Sequence, residues 1–276
     1  MLIDTHCHLD AVEFLSDREA VIERAGRAGV GAIVIPAVDR ANFDAVKDLA
    51  HGFAGGYYAL GIHPIAVPDA QEEDLEALEV CIQAALEDER FVGVGEIGLD
   101  FFVPALKQAT MREKQERFFD KQLALARKYD LPVILHVRRA LDDILKYLRR
   151  HPGSSGIAHA FNGSFQQANQ FIELGFVLGF GGAMTFERSL QIRRLASRLP
   201  MDALVLETDA PDIPPAWLGK GGTERPRNEP GEVARIGREL GRLRGVPYEV
   251  VVEHTGRNAQ RVLPRLSVSH SAPRTH

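Results

Sequence analysis

Three observations predict an α/β protein built as a (β/α)8 TIM barrel. Short apolar, β-rich runs recur eight times along the chain. Amphipathic stretches lie between them, with apolar positions three and four residues apart, as helices packing one face inward require. Ionisable side chains gather at the carboxyl ends of the apolar runs. Strand and helix in alternation imply parallel pairing with right-handed crossovers, and eight such units close into a barrel. The other arrangement of this pattern, an open doubly wound sheet, usually carries a Gly-rich phosphate turn after its first strand. Here that place holds histidines.

The elements follow in order. The first run, "MLID", precedes a helical pattern over Asp17–Ala28 that Gly29 stops. "GAIVIPAV" is the second strand, and the helix after it stops at Gly55-Gly56. "YYALGIHP" leads into a helix over Gln71–Glu89, and "FVGVGEIGLD" into one over Met111–Tyr129. "LPVILHVR" is the fifth strand, with a helix stop at Pro152-Gly153. "GIAHAF", "GFVLGFGG" and "ALVLETDAP" complete the eight. From Asn228 to Leu266 the pattern is helical again, broken at "GVPYE". Residues 1–266 read as one domain, and "SVSHSAPRTH" at 267–276 as a loose tail without apolar periodicity.

Composition sets the class. The chain has 276 residues, 45% hydrophobic and 26% charged, which fits a soluble globular protein with a large core. No apolar run approaches the length a bilayer needs, and no basic stretch followed by an apolar one opens the chain. Cys7 and Cys81 make neither a CxxC pair nor a disulfide framework. The expectation is a cytoplasmic protein with no membrane association and no obligate protein partner. A net charge of −5 argues against a broad non-specific grip on nucleic acid. A polyanion would be held locally, by metal ions or a few basic side chains.

In a barrel, His6 and His8 at the end of strand 1, His63 at the end of strand 3, Glu96 at the end of strand 4, His136 at the end of strand 5, His159 at the end of strand 6 and Asp209 at the end of strand 8 share one rim. Active sites of this fold lie there. Buried ionisable groups are costly unless paired or metal-bound. His6 and His8 are two residues apart and project to the same side of an extended chain, with Cys7 turned away. Asp4 shares their side one layer deeper, placed to orient a ligand ring. Imidazole and carboxylate without thiolate suit Zn, Mn, Fe, Ni or Co, and with water Mg. Four histidines and two carboxylates exceed one four-coordinate site, so two ions sharing a carboxylate is the economical arrangement.

The ordered motifs "IDTHCHLD", "GIHP", "GEIGLDFF", "LPVILHVRRA", "HAFNG", "LETDAP" and "RNEP" resemble those of the TatD-type metal-dependent deoxyribonucleases, from about Ile3 to Leu263. The resemblance implies one ion held by His6, His8, Glu96 and Asp209 and a second held by Glu96, His136 and His159. Glu96 bridges, Asp209 handles the attacking water's proton, and His63 lines the pocket without being a ligand. Arg138, Arg225 and Arg227 are candidate phosphate contacts. Asp100 reads equally as a partner of the ligands or as a loop cap, and Asn228 and Glu229 as ties between loop and barrel. The implied activity is cleavage of DNA, as single strands or at strand ends, by attack of a metal-bound hydroxide on phosphorus. Two other readings stand beside it: a small-molecule hydrolase acting on an amide, lactone or phosphotriester, and a non-catalytic metal-binding scaffold. Val137, Arg139, Asn162 and Ile65 depart from the family pattern and bear on substrate preference.

Overall fold

The structure, a computed structural model, describes residues 1–219 and 226–266. Arg225 and the 267–276 tail lie outside the described residues. The eight strands are β1 (Leu2–Asp4), β2 (Val30–Pro36), β3 (Gly56–Leu60), β4 (Phe91–Asp100), β5 (Val133–Arg138), β6 (Gly156–Ala158), β7 (Phe176–Phe180) and β8 (Leu204–Leu206). They pair in sequence order, each parallel to the next. The ring closes between β8 and β1 at the upper end. There Thr5 N–H donates to Leu206 O at 3.1 Å and His8 N–H to Ala210 O at 2.8 Å.

Helices α1 (Arg18–Arg27), α2 (Phe43–His51), α3 (Glu72–Ala85), α4 (Ala109–Lys128), α5 (Leu141–Arg150), α6 (Phe165–Glu173), α7 (Leu190–Arg198), α8 (Val233–Arg244) and α9 (Tyr248–Val262) surround the ring. The gap between α8 and α9 falls at "GVPYE", where Gly245 takes the left-handed φ of +67° that a helix stop favours.

The core has two layers. Ile3, Val34, Ala59, Val92, Ile134, Ile157, Val177 and Val205, one from each strand, belong to an inner cluster that Ala259, Val262, Leu263 and Leu266 join from the α9 end. The larger cluster lies between strands and helices. On β5, β6 and β8 the residue two places beyond the inner-layer side chain is His136, His159 and Glu207. Alternation along the strand therefore carries the core upward into the site.

Two expectations change. β6 and β8 are three residues each, so His159 and Asp209 stand beyond their strands rather than within them. β1 stops at Asp4, because Asp4 Oδ1 accepts the amides of His6 at 3.3 Å and Thr208 at 2.9 Å in place of a strand ladder. Asp4 thus ties β1 to β8, with Oδ2 accepting the Thr208 hydroxyl at 2.6 Å, and holds no imidazole among the described residues.

Candidate metal centre

Glu96 is the hub, 1% exposed; it does not end its strand as expected but is the sixth of the ten residues of β4. Its flanking glycines allow the approach of β5: a Cβ on Gly95 would come 2.7 Å from that of Ile134, and one on Gly98 would collide with the His136 carbonyl. Glu96 Oε1 lies 2.9 Å from His136 Nδ1, 3.2 Å from His159 Nε2 and 3.4 Å from His63 Nε2. Oε2 lies 3.1 Å from His6 Nε2 and 3.3 Å from His8 Nε2. Asp209 Oδ1 completes the ring, 3.6 Å from His6 Nε2 and 3.8 Å from His8 Nε2. All seven predicted rim residues converge. Three overlapping groups, His6–His8–Asp209, His6–Glu96–His159 and His63–Glu96–His136, each keep their ligand atoms within 4.8 Å of one another.

These donors fit a cation. Glu96 Oε2 and the Nδ1 atoms of His6, His8 and His159 are buried without a hydrogen-bond partner among the described residues. His6 and His8 present Nε2 to each other at 3.3 Å, and the rings of His6 and His159 stack with centroids 3.9 Å apart. Lone pairs facing lone pairs in a dry site are costly unless a positive charge lies among them. The donor set is nitrogen and oxygen only. Cys7 is buried and turns its Sγ to the Ala210 carbonyl, 3.8 Å away.

The electrostatics are divided. Burial and the neighbouring His159 pull His6 down to about 3. Burial also opposes charge on His8, yet Glu96 and Asp209 push it up to about 9. Burial opposes charge on Glu96 too, but His63, His6 and His159 outweigh it and hold the carboxylate well below its usual range. Asp209 goes the other way, pushed up to about 6 by burial.

His63 sits among these groups as closely as His136 does, although the sequence puts it outside the ligand set. Its hydrogen bonds distinguish it. The Ile65 amide donates to His63 Nδ1 at 3.0 Å, and burial pulls the ring down to about 4, keeping it neutral. A neutral imidazole that accepts at Nδ1 carries its proton on Nε2. That nitrogen is then a donor, with no lone pair for a metal.

Two carboxylates stand behind the ring. Asp100 Oδ2 lies 3.2 Å from His136 Nε2, while its Oδ1 accepts the amides of Phe102 and Val103 at 2.8 and 3.1 Å. Asp100 therefore both orients His136 and caps the loop. Glu207 was not singled out from sequence. Its Oε1 lies 3.7 Å from His159 Nδ1 and accepts the Ala160 amide at 2.5 Å. The signal that finds it is strand parity: Glu207 is two residues beyond the inner-layer Val205. Both Ala160 (φ +45°) and Asp209 (φ +57°) are left-handed. That conformation costs about 1–2 kcal/mol in a residue with a Cβ. The Ala160 bond to Glu207, and the Asp209 amide bond to His6 O at 2.9 Å, hold them there.

The arginines separate. Arg138 is half exposed at the rim, its guanidinium 3.9 Å from the Phe102 ring centroid and 3.8 Å from Asp100. Arg227, expected to reach phosphate, is committed elsewhere. It forms a two-pronged pair with Asp17 at 2.7 and 2.8 Å, bonds Glu229 at 3.0 Å and lies over Phe14. Glu229 also takes Arg24 through two bonds of 2.8 Å. Asn228 donates to the carbonyls of Thr208, Asp212 and Ile213. This loop is tied down as expected, and Arg227 is one of its ties. Val137 packs against the outer core, so this departure from the family pattern lies on the flank of the pocket rather than in its lining.

A parallel barrel that gathers five histidines and two carboxylates at its upper rim defines a metal-dependent hydrolase. The chain belongs to the TatD related DNase family, whose model matches residues 3–264. It is 40% identical over 252 residues to the uncharacterised metal-dependent hydrolase YjjV of Escherichia coli K12, covering 91% of this chain and 93% of that one. It is 30% identical to human deoxyribonuclease TATDN3, covering 96% and 95% of the two chains. The crystal structure of E. coli YjjV, a TatD homologue, superposes with a TM-score of 0.87 at 38% identity, over 95% of this chain and 98% of that one.

Proposed function

We propose that the protein is a deoxyribonuclease that hydrolyses phosphodiester bonds of single-stranded DNA or strand ends with two divalent ions. One observation carries the two-ion reading. Glu96 is flanked by imidazoles on both oxygens, His6 and His8 on one and His136 and His159 on the other. A carboxylate shared in this way suits two cations. His6, His8, Glu96 and Asp209 would hold the first, and Glu96, His136 and His159 the second. When bound, such ions activate water and stabilise charge on phosphate and leaving oxygens. Zn, Mn, Mg, Ni, Co and Fe all suit the donors.

The chain's own groups do the rest. Asp209, at the rim beside His6 and His8, takes the proton of the attacking water at its carboxylate. His63 donates its Nε2 proton to a phosphate oxygen. Asp100 keeps His136 turned inward, and Glu207 faces His159 Nδ1 across 3.7 Å. Arg138 offers its exposed guanidinium to a neighbouring phosphate. The human relative's name supports DNA as substrate. With a net charge of −5, the chain suits a substrate gripped at few points. Among the described residues, no helix is long and apolar enough to cross a membrane. Two free cysteines suit the reducing cytoplasm we propose as its compartment.

The test is a panel of single-stranded DNA, duplex DNA, RNA and small esters, each assayed with several divalent ions and with chelator. Single-stranded DNA should be cleaved fastest, and chelator should abolish cleavage until an ion is restored. Turnover of small esters with DNA left intact would instead identify a small-molecule hydrolase. No turnover of any substrate would identify a metal-binding scaffold.

A further inference from the structure

Beside the metal centre lies a second cleft that the reaction does not use. It opens between the loop after β7 and the loop after β8, on the same end of the barrel as Glu96, and has a volume of about 540 Å³. That is within the range of roughly 300–1,000 Å³ typical of small-ligand pockets. Its walls carry Phe186, Glu187, Arg188, Trp217 and Arg235. The loop after β8 is the one that begins with Asp209. A smaller hollow is lined by Asp209 of the metal centre and by Ala183 and Ile213 of the same two loops.

The cleft is built rather than incidental. Thr185 Oγ1 accepts the Ala216 amide at 2.8 Å and donates to Gly182 O at 2.6 Å, locking one loop onto the other. Trp217 Nε1 donates to Glu232 at 2.6 Å, which fixes the ring plane. The Arg235 guanidinium lies 4.2 Å from the Trp217 ring centroid. Phe186 is 40% exposed, a large apolar ring left in solvent. Arg188 and Arg235 have no carboxylate partner among the described residues, so two cations face outward from a chain of net negative charge. Exposed large apolar side chains gather along this whole rim: Val12, Leu15, Ile65, Phe102, Phe186 and Leu190 all follow strands β1, β3, β4 or β7.

We propose that Phe186 and Trp217 form a nucleobase-binding subsite for an unpaired DNA strand, with Arg188 and Arg235 on its phosphates. The inference rests on the reading of nucleic acid as the substrate. Aromatic faces with unpaired cations beside them are what single-strand binding uses, because every base has a π-face and every linkage a charge. A duplex keeps its base faces stacked inside and cannot fill the cleft. Glu187, the acid lining it, can accept from any base edge that presents an N–H donor: the exocyclic amines of cytosine, adenine and guanine, and the ring N–H of guanine and thymine.

The chain has one tryptophan, so its fluorescence reports this cleft alone. The metal-loaded protein is titrated with a single-stranded phosphorothioate tetranucleotide, which resists cleavage, and with an abasic strand of the same backbone. The base-bearing strand should quench the emission and bind about 5- to 150-fold more tightly than the abasic one, as expected for one stacked base. Phe186→Ala should remove most of that difference at unchanged metal content and Tm, and Phe186→Tyr should keep it. Equal affinity for the two strands, absence of quenching, or full discrimination by Phe186→Ala would overturn the subsite. A protein that cleaves DNA without discriminating the strands refutes the subsite and leaves the nuclease reading intact. One that discriminates them but cleaves no DNA supports the subsite and refutes the nuclease.

Discussion

Replacing Glu96 by glutamine keeps the side chain's shape and removes its charge. Its oxygens lie between 2.9 and 3.4 Å from five imidazole nitrogens, so any cation held by those nitrogens is also close to this carboxylate. A unit charge 3.2 Å away, the His159 distance, is attracted by about 5 kcal/mol at an effective dielectric of about 20. The amide oxygen recovers part of this. Removing one partner of a buried charge pair costs about 3–5 kcal/mol net, or on the order of 10²- to 10⁴-fold in ion affinity. The fold should survive, because the amide can still hydrogen-bond to His136 Nδ1 and its neighbours. The expected variant is folded by circular dichroism, holds at most one ion tightly by calorimetric titration, and loses several orders of magnitude in single-turnover cleavage of a labelled oligonucleotide. His136→Ala should be milder, since His6, His8 and Asp209 still hold the other ion. Two tightly bound ions with near-normal cleavage in Glu96→Gln would refute the shared carboxylate, and the two-ion mechanism with it.

His63→Ala should keep its metal content and lose about 10²- to 10⁴-fold in turnover, the usual worth of a positioned proton donor; loss of an ion would show that His63 is a ligand. Arg227→Ala should lower Tm by a few degrees, because Asp17 and Glu229 lose a shared partner, and leave the salt dependence of DNA binding unchanged. A shallower salt slope would return Arg227 to the substrate. Asp4 is pushed up from 3.8 to about 8 by burial, so the folded state keeps a proton there that the unfolded chain releases. The stability from this group is complete below about pH 4 and is lost as pH rises through about 8. Urea unfolding at stepped pH should therefore show Asp4→Asn gaining on the parent between pH 5 and pH 9, and parallel curves would disprove the buried neutral carboxyl.

What the sequence reveals and what it hides divide along one physical line. Strand periodicity is local, and barrel topology converts order along the chain into order around a ring. Residues at the ends of eight consecutive apolar runs must therefore meet, which is how His6, His8, Glu96, His136, His159 and Asp209 are found without coordinates. The groups that brace them act across loops. Glu207 reaches Ala160 from 47 residues away, and Arg227 reaches Asp17 from 210, so no window along the chain contains either pairing. Asp4 misleads for a different reason: alternation predicts its side only while the strand continues, and its own carboxyl group ends the strand by capturing the amides of His6 and Thr208. The same line separates chemistry from specificity. Strand ends fix the metal-binding donors, so membership in a metal-hydrolase family is legible. In the proposed function the loops that carry Phe102, Phe186 and Trp217 would meet the substrate, and their mutual placement depends on contacts such as Thr185 to Ala216, 31 residues apart. On that proposal substrate preference rests on long-range loop contacts, and changes confined to those loops should alter which strand is bound while leaving the metal centre intact.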